Sequence, residues 1–504
     1  MERLWNKKRE LLLLASIVAV AAFLRFFRLG GQSLWTDEMF SLGACKSPPG
    51  VSFWRKITWD VHGPLHSLIL HFWSNLSKSD AWLRAPSAIV GVLSVFFLYK
   101  WLVILKRRDL ALIGALFLAL SPFNLYYSQE LRFYSLLNMF VIVSLIYFTR
   151  FLASPSLGRG AVLGVILALT CLSHFSGVFL CLAFLVYLVI TRRLRGRCLR
   201  SGALAAFIVL LIVSPWVYRE ITFLGGIRVV DISTIPVGER LRGELTLSVW
   251  SYPYALYAFS VGYSFGPSLQ ELHLIDSALE LLRSHALEIL MTIFLFGGLI
   301  LSGFVRSARE KRLALFLTVV IVSVISVTVI TMLNIKVFNV RYLTSAFPVF
   351  ITLIVFGLPS GKLEKYALVV AVAAIMLISD WNYHFVPRYA RDDIKGAVNV
   401  IMEFEDEGDL ILVLVPGVVN VFKYYYTGSN KIEAFHTKYV SRERIEDGIK
   451  RCAEVYPRIW YVRCRHWDND RDDMLLMLLS SEDLKVESWE FSGVLVNLFR
   501  RRVE

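Results

Sequence analysis

The sequence predicts a mainly α, polytopic bundle of membrane-spanning helices that ends in a small soluble α/β domain. Three observations carry that prediction. The chain of 504 residues is 56% hydrophobic and 19% charged, with a mean hydropathy of +0.58. An ordinary soluble domain is ~45–50% apolar and ~25% charged. The apolar residues come in long runs, which is the signature of membrane spans. The basic residues, which leave a formal net charge of +14, mostly sit in short segments between those runs. That is the distribution of cytoplasmic loops, not of a nucleic-acid-binding face.

A helical span needs ~20 apolar residues, within a range of ~17–25. Candidates lie at roughly 11–29, 84–105, 109–127, 133–152, 160–173, 175–191, 201–218, 286–305, 312–332, 341–358 and 364–380, about eleven in all. The first is preceded by Lys7, Lys8 and Arg9 and lacks a small-x-small cleavage site, so it reads as an uncleaved span with its N-terminus inside. The following inside turns carry "KRRD", "RFLASPSLGRG", "TRRLRGRCLR", "VRSAREKR" and "SGKLEK". All are basic, and the topology closes without conflict. The segment "HGPLHSLILHFWSNL" is short and carries His66, His71 and Asn75; it is expected to lie on the outer surface as an interfacial helix. "SYPYALYAFSVGYSFGPSL" is broken by Pro and Gly and is expected to hug the same interface.

From residue 381 the composition turns soluble, dividing the chain into a transmembrane domain, 1–380, and an α/β domain, 381–504. "DLILVLV" and "RIWYVRCR" read as strands, "NVFKYYYTG" and "RDDMLLMLLSSE" as helical. An odd number of spans leaves this domain extracytoplasmic, in a multi-pass protein of the cell (plasma) membrane. The six cysteines form no CxxC or zinc spacing. Whether Cys452 and Cys464 pair stays open at this point.

Three polar clusters fall on the outer side. In "LWTDEMFSL", Asp37 and Glu38 follow the first span between Trp35 and Phe40. A carboxylate in such a setting suits proton abstraction from a hydroxyl. The same acids would also serve as the first turn of a helix capped by Thr36. In "SPFNLYYSQELRFYSLL", Glu130 and Arg132 stand with Tyr126, Tyr127 and Tyr134. Ionisable groups at membrane depth are costly and mark functional sites by default; a Glu–Arg pair capping a helix start is the alternative. In "KVFNVRYLTSAFP", Arg341 and Tyr342 open a span. A guanidinium there suits a phosphate, or snorkels to lipid headgroups. His62 and His174 are further substrate or metal candidates, with Arg228 and Tyr263 behind them. No P-loop, GxGxxG, HExxH or GxSxG motif occurs. An enzyme working on the outer face would then need a donor held in the membrane. A polytopic transporter or flippase would instead place charges mid-span and show repeated halves with broken helices. A receptor or scaffold would not need three charged outer clusters.

In order and spacing, "LWTDEMFSLG", "HGPLHSLILHFW", "LRAPSAIVGVLSVFFLY", "LALSPFNLYYSQELRFYSLL", "LSHFSG", "YALYAFSVGYSFGPS", "NVRYLTSAFPVF" and "RDDIKGAVNVIMEFEDEGDLILV" resemble the GT-C glycosyltransferases of the protein O-mannosyltransferase and lipid A aminoarabinose transferase group (glycosyltransferase family 39 and its relatives). The resemblance spans essentially the whole chain. It implies an inverting transfer of a sugar from a polyprenyl-phosphate carrier to an acceptor lipid, glycan or protein, with membrane lipid but no nucleic acid as partner. It places the base at Asp37, with Glu38 adjacent, a second acid at Glu130 and a phosphate-holding arginine at Arg341. Arg132, Tyr342, Tyr127, His62 and His174 follow as substrate-binding candidates. At His62 the chain has "HGP" where many relatives carry an acid or His-Pro-Pro, so a divalent metal stays open.

Overall fold

A computed structural model describes residues 2–45, 62–223, 247–275, 277–333, 338–435, 440–470, 472–481 and 485–500. Arg228 lies outside the described residues. The chain divides into two compact units. Met1–Leu29, Ser41–Gly266 and Leu282–Trp381 form the first; Gly30–Phe40, Pro267–Leu281 and Asn382–Glu504 form the second.

The first unit is helical and apolar. Among the described residues, six helices are long and apolar enough to cross a membrane: Asp80–Ile104, Tyr134–Ala153, Gly196–Thr222, Ala286–Arg309, Leu313–Met332 and Val340–Gly357. Arg108–Leu120 and Pro122–Ser128, bent by 55°, make a seventh if taken as one broken span. The bend has a local cause. Pro122 pushes the residue before it, Ser121, out of the helical region to φ −64, ψ 117. Leu157–Ser173 and Gly177–Ile190 are apolar but shorter, and helices also run over Glu2–Phe26 and Lys362–Phe385. Length and composition therefore support an integral membrane bundle, without reaching the expected eleven spans. The "HGPLHSL" segment forms a helix over Pro64–Trp73, ~15 Å long at 1.5 Å per residue and too short to cross.

Small residues set the helix packing. A Cβ on Gly160 would fall 2.3 Å from the Ser201 carbonyl oxygen, and one on Gly164 2.7 Å from that of Ala205. A Cβ on Gly303 would fall 2.0 Å from the Leu353 oxygen, and one on Gly357 1.9 Å from the Leu299 oxygen. Backbones come this close only where side chains are missing, and that closeness is the main source of association between helices in lipid.

The ends of these helices differ in chemistry. At one end the basic turns meet. Arg108 pairs with Glu10 at 2.5 Å, Arg107 with Glu310 at 2.5 Å, and Arg306 donates to the Leu358 carbonyl at 2.8 Å. The Arg108–Leu120 helix starts there, and Asp80–Ile104 and Tyr134–Ala153 finish towards it. Their other ends carry Ser87, Ser121 and Tyr134.

The second unit is a five-stranded sheet of order β2-β1-β3-β5-β4, with β1 Leu410–Val413, β2 Lys431–Ala434, β3 Arg458–Cys464, β4 Lys485–Phe491 and β5 Val494–Arg500. β2, β1 and β3 are parallel, while β3–β5 and β5–β4 are antiparallel. The period-2 alternation sends Ile411, Val413, Trp460, Val462, Val496 and Leu498 to one face, under helices Ile394–Phe404 and Pro416–Tyr425. Leu410, Leu412, Ile459, Tyr461 and Phe499 face helices Arg442–Val455 and Met474–Ser481. All six cysteines are free thiols, Cys452 and Cys464 included.

Candidate functional site

The residues singled out in the sequence fall into two groups, one in each unit. The first group is built on the turn after the proline bend. Ser121 caps the Pro122–Ser128 helix by accepting from Asn124 N. Gln129 then donates from Nε2 to the carbonyls of Leu24, Arg25 and Phe27 at 2.9–3.1 Å, closing the C-terminus of the first helix. Arg25 answers by donating to the Ala119 and Leu118 carbonyls at 2.9 and 3.0 Å. These bonds satisfy helix-end carbonyls that lipid could not, and they hold residues 129–133 between two helices.

On that turn Glu130 is wholly buried and Arg132 is 3% exposed. Arg132 donates to Ser41 Oγ at 2.8 Å, and its guanidinium lies 4.6 Å over the Phe133 ring. Phe133 is the centre of an aromatic stack. His62 lies 4.4 Å from it and His174 4.7 Å, and the two imidazoles are 5.1 Å apart. Tyr342 continues the stack 5.7 Å from His174. Arg341 lies 5.4 Å over Tyr134 and 5.9 Å from Tyr342. Its backbone is set by the 3₁₀ turn Val340–Ala346, which Asn339 caps by accepting from Arg341 N. The Tyr127 hydroxyl meets that of Tyr263 at 2.8 Å, and the charges of Arg341 and Glu130 both bear on it. The Nδ1 of His174 accepts from Ser176 N at 3.2 Å and sits 2.7 Å from Ser176 Oγ. That puts the ring proton of the neutral form on Nε2.

Seven expected residues thus gather in the first unit: His62, Tyr127, Glu130, Arg132, His174, Arg341 and Tyr342. Sequence reasoning missed Phe133, the ring that holds them together, and Ser176, which sets the His174 tautomer. The "LSHFSG" spacing, with a hydroxyl two residues after the histidine, was the available signal for the second. Beside the cluster an apolar cavity of about 200 Å³ is lined by His66, Ile69, Trp73, Pro86, Ile89 and Leu136. Among the described residues no group of three or more His, Cys, Asp or Glu side chains is placed to hold a metal ion. His62 and His174 present stacked faces, not converging nitrogens. The described residues do not fit a divalent metal, and no step is assigned to one.

The second group is Asp37 and Glu38, in the first turn of a helix over Thr36–Cys45. The sequence suggested Thr36 as the cap, but the structure moves the start by one residue. Met39 N bonds Trp35 O at 3.0 Å, and Glu38 reaches back to accept from Trp35 N at 3.2 Å. This is the acidic half of a capping box. Glu38 is wholly buried and paired with Arg391 at 3.2 Å, the two side chains 0% and 6% exposed. Removing one member of a buried pair costs ~3–5 kcal/mol. Asp37 is half-buried.

Residues 61–218 match the family model for dolichyl-phosphate-mannose-protein mannosyltransferases. No curated protein matches the sequence. Among solved structures, the archaeal oligosaccharyltransferase AglB from Archaeoglobus fulgidus in its apo form superposes with a TM-score of 0.56 at 11% identity, over 97% of this chain and 74% of that one. AglB in complex with an inhibitory peptide and a dolichol-phosphate gives 0.55 at 11% identity, with the same coverage. The chain shares the fold of this oligosaccharyltransferase. ArnT from Cupriavidus metallidurans, at 13% identity over 96% of this chain and 97% of its own, reaches only 0.44, too low to argue from. The shared fold and the family match over residues 61–218 indicate a membrane glycosyltransferase, and neither favours a transporter.

Proposed function

We propose that this protein moves a sugar from a polyprenyl-phosphate carrier to an acceptor hydroxyl on the extracytoplasmic side of the cell membrane, with inversion at the anomeric carbon. One observation carries the reading: two guanidiniums, Arg132 and Arg341, flank an aromatic stack at the helix ends away from the basic turns. Planar forks on aromatic faces suit a phosphate better than a point charge does. Arg341 and Arg132 hold the departing lipid phosphate, which is already a good leaving group once its charge is met. The cavity beside His66 takes the adjoining isoprenoid carbons. Glu130 and His174 orient the sugar hydroxyls, His174 as an Nε2–H donor. Asp37 takes the proton of the acceptor hydroxyl as its oxygen attacks; Glu38, engaged by Arg391 and the Trp35 amide, anchors it. The α/β domain is extracytoplasmic.

Mass spectrometry of glycolipids and glycoproteins, from cells that depend on this protein alone, tests the reading. Asp37→Asn is expected to reach the membrane at the normal level and to lose the glycan, with a rate lower by ~10²–10⁴-fold, the usual contribution of a general base. Unchanged glycosylation in that strain would remove Asp37 from the role. A labelled polyprenyl-phosphate sugar that crosses proteoliposomes without being transferred would point to a transporter.

A further inference from the structure

In a doubly wound sheet, ligands bind beyond the carboxyl ends of the parallel strands, where the strand order reverses. In the second unit that place lies between β1 and β3. The connection from β1 to β2 runs through Pro416–Tyr425 on one face, and that from β2 to β3 through Arg442–Val455 on the other. What lies in that crevice is the chain's own acid-bearing segment. A Cβ on Gly417, in the first turn after β1, would stand 3.0 Å from Thr36 Cγ2. Arg465, the residue after β3, is held in the left-handed region at φ 50 and lays its guanidinium 5.6 Å over the Trp35 ring.

The "RDD" tripeptide at 391–393 completes the grip, one residue at a time. Arg391 pairs with Glu38 at 3.2 Å. Asp392 pairs with Arg465 at 3.3 Å. Asp393 accepts from Ser33 Oγ at 3.0 Å while capping the next helix through Gly396 N. Three further bonds fix the same strand of backbone. Arg391 N donates to Gln32 Oε1 at 3.2 Å, Lys395 N to Ser33 Oγ at 3.0 Å, and Leu34 N to the Tyr425 hydroxyl at 2.8 Å. Together these give residues 32–38 seven contacts with residues 391–465 of the same unit.

We infer that the C-terminal α/β unit is a positioning clamp whose ligand crevice is filled by Leu34–Thr36, and that Arg391 is the positioning residue that orients Asp37 through Glu38. The inference rests on Asp37 being the base. Displacing a reacting group by ~1 Å costs up to ~10²-fold. Arg391→Gln is therefore expected to cut the cellular glycan ~10–100-fold, and Arg391→Lys to restore most of it. Hydrogen exchange on the full chain is expected to rise in residues 31–42 in the glutamine variant, with the strands of the sheet unchanged. A second pair of variants does not touch the ion pair. Gly417→Val drives a side chain into the Thr36 methyl, and Thr36→Ser removes that methyl. The single change is expected to lower the glycan at least 10-fold, and the double variant to recover it. If Asp37→Asn keeps the glycan, the base assignment fails whatever Arg391 does. If Asp37→Asn loses it while a folded Arg391→Gln keeps it, or if Thr36→Ser gives no recovery, the clamp is wrong and the base assignment stands.

Discussion

At the scale of single residues, charges are kept in an apolar bundle by giving each a place among rings or carbonyls. His66 shows the other solution, which is to stay neutral. Burial pushes its imidazole down to about 3, and the nearby Arg132 charge adds to the effect. The sign follows from linkage. An unfolded chain protonates this histidine as pH falls through ~6.5, while the folded chain does not until far lower. The unfolded state therefore gains protons in that window, and stability falls as pH drops from ~6.5, by up to ~1.4 kcal/mol per pH unit. The denaturant midpoint of the solubilised chain, measured from pH 7 to pH 5, is expected to fall, and His66→Gln is expected to flatten that slope. Equal slopes in the two proteins would show that folding leaves the His66 titration unshifted. The site was legible in the sequence mainly where a charge stands out against apolar neighbours, as at Glu130, Arg132 and Arg341. Phe133 and Arg391 were not legible. A phenylalanine is unremarkable among apolar residues, and an arginine at the edge of a soluble domain reads as solvated until Glu38 is found beneath it.

At the scale of elements, composition revealed the bundle and the soluble tail but missed the closing hairpin. "VESWEFSGVLVNLFR" alternates around a Ser-Gly turn, and Gly493 takes φ 68 there, a standard hairpin signal. The small-residue seam was likewise present but unread. Gly160 and Gly164 are four apart on one helix and face Ser201 and Ala205, four apart on the next. Such a pair of small-xxx-small rows packs by backbone contact, which a single side chain abolishes. Gly164→Leu is expected to separate Leu157–Ser173 from Gly196–Phe223 and to lower both the thermal midpoint and the amount of membrane-inserted protein. Gly158→Leu, on the same helix with open space around its Cα, is expected to do neither. Similar losses from both changes would mean that helix propensity, not packing, sets the stability of this pair.

At the scale of the whole molecule, the net charge of +14 is an orientation signal, because its carriers are not spread evenly. Arg107, Arg108 and Arg306 come together at one end of the first unit, in contact with Glu10, Glu310 and the Leu358 carbonyl. Arg132 and Arg341 are held at the other ends of the same helices. Basic turns stay on the cytoplasmic side during insertion, so the two ends should face different compartments. Cysteine labelling reads this directly, since none of the six native thiols is exposed. Arg195 lies in the basic turn 191–196 and Glu407 in the turn before β1, and both are exposed. An impermeant maleimide is expected to label Glu407→Cys in intact cells, and Arg195→Cys only after the membrane is opened. Labelling of both positions in intact cells would break the two-sided topology, and labelling of Arg195→Cys alone would put the α/β unit inside. A lipid-linked donor presented at the outer leaflet would then be out of reach of Asp37, whatever the chemistry of that residue.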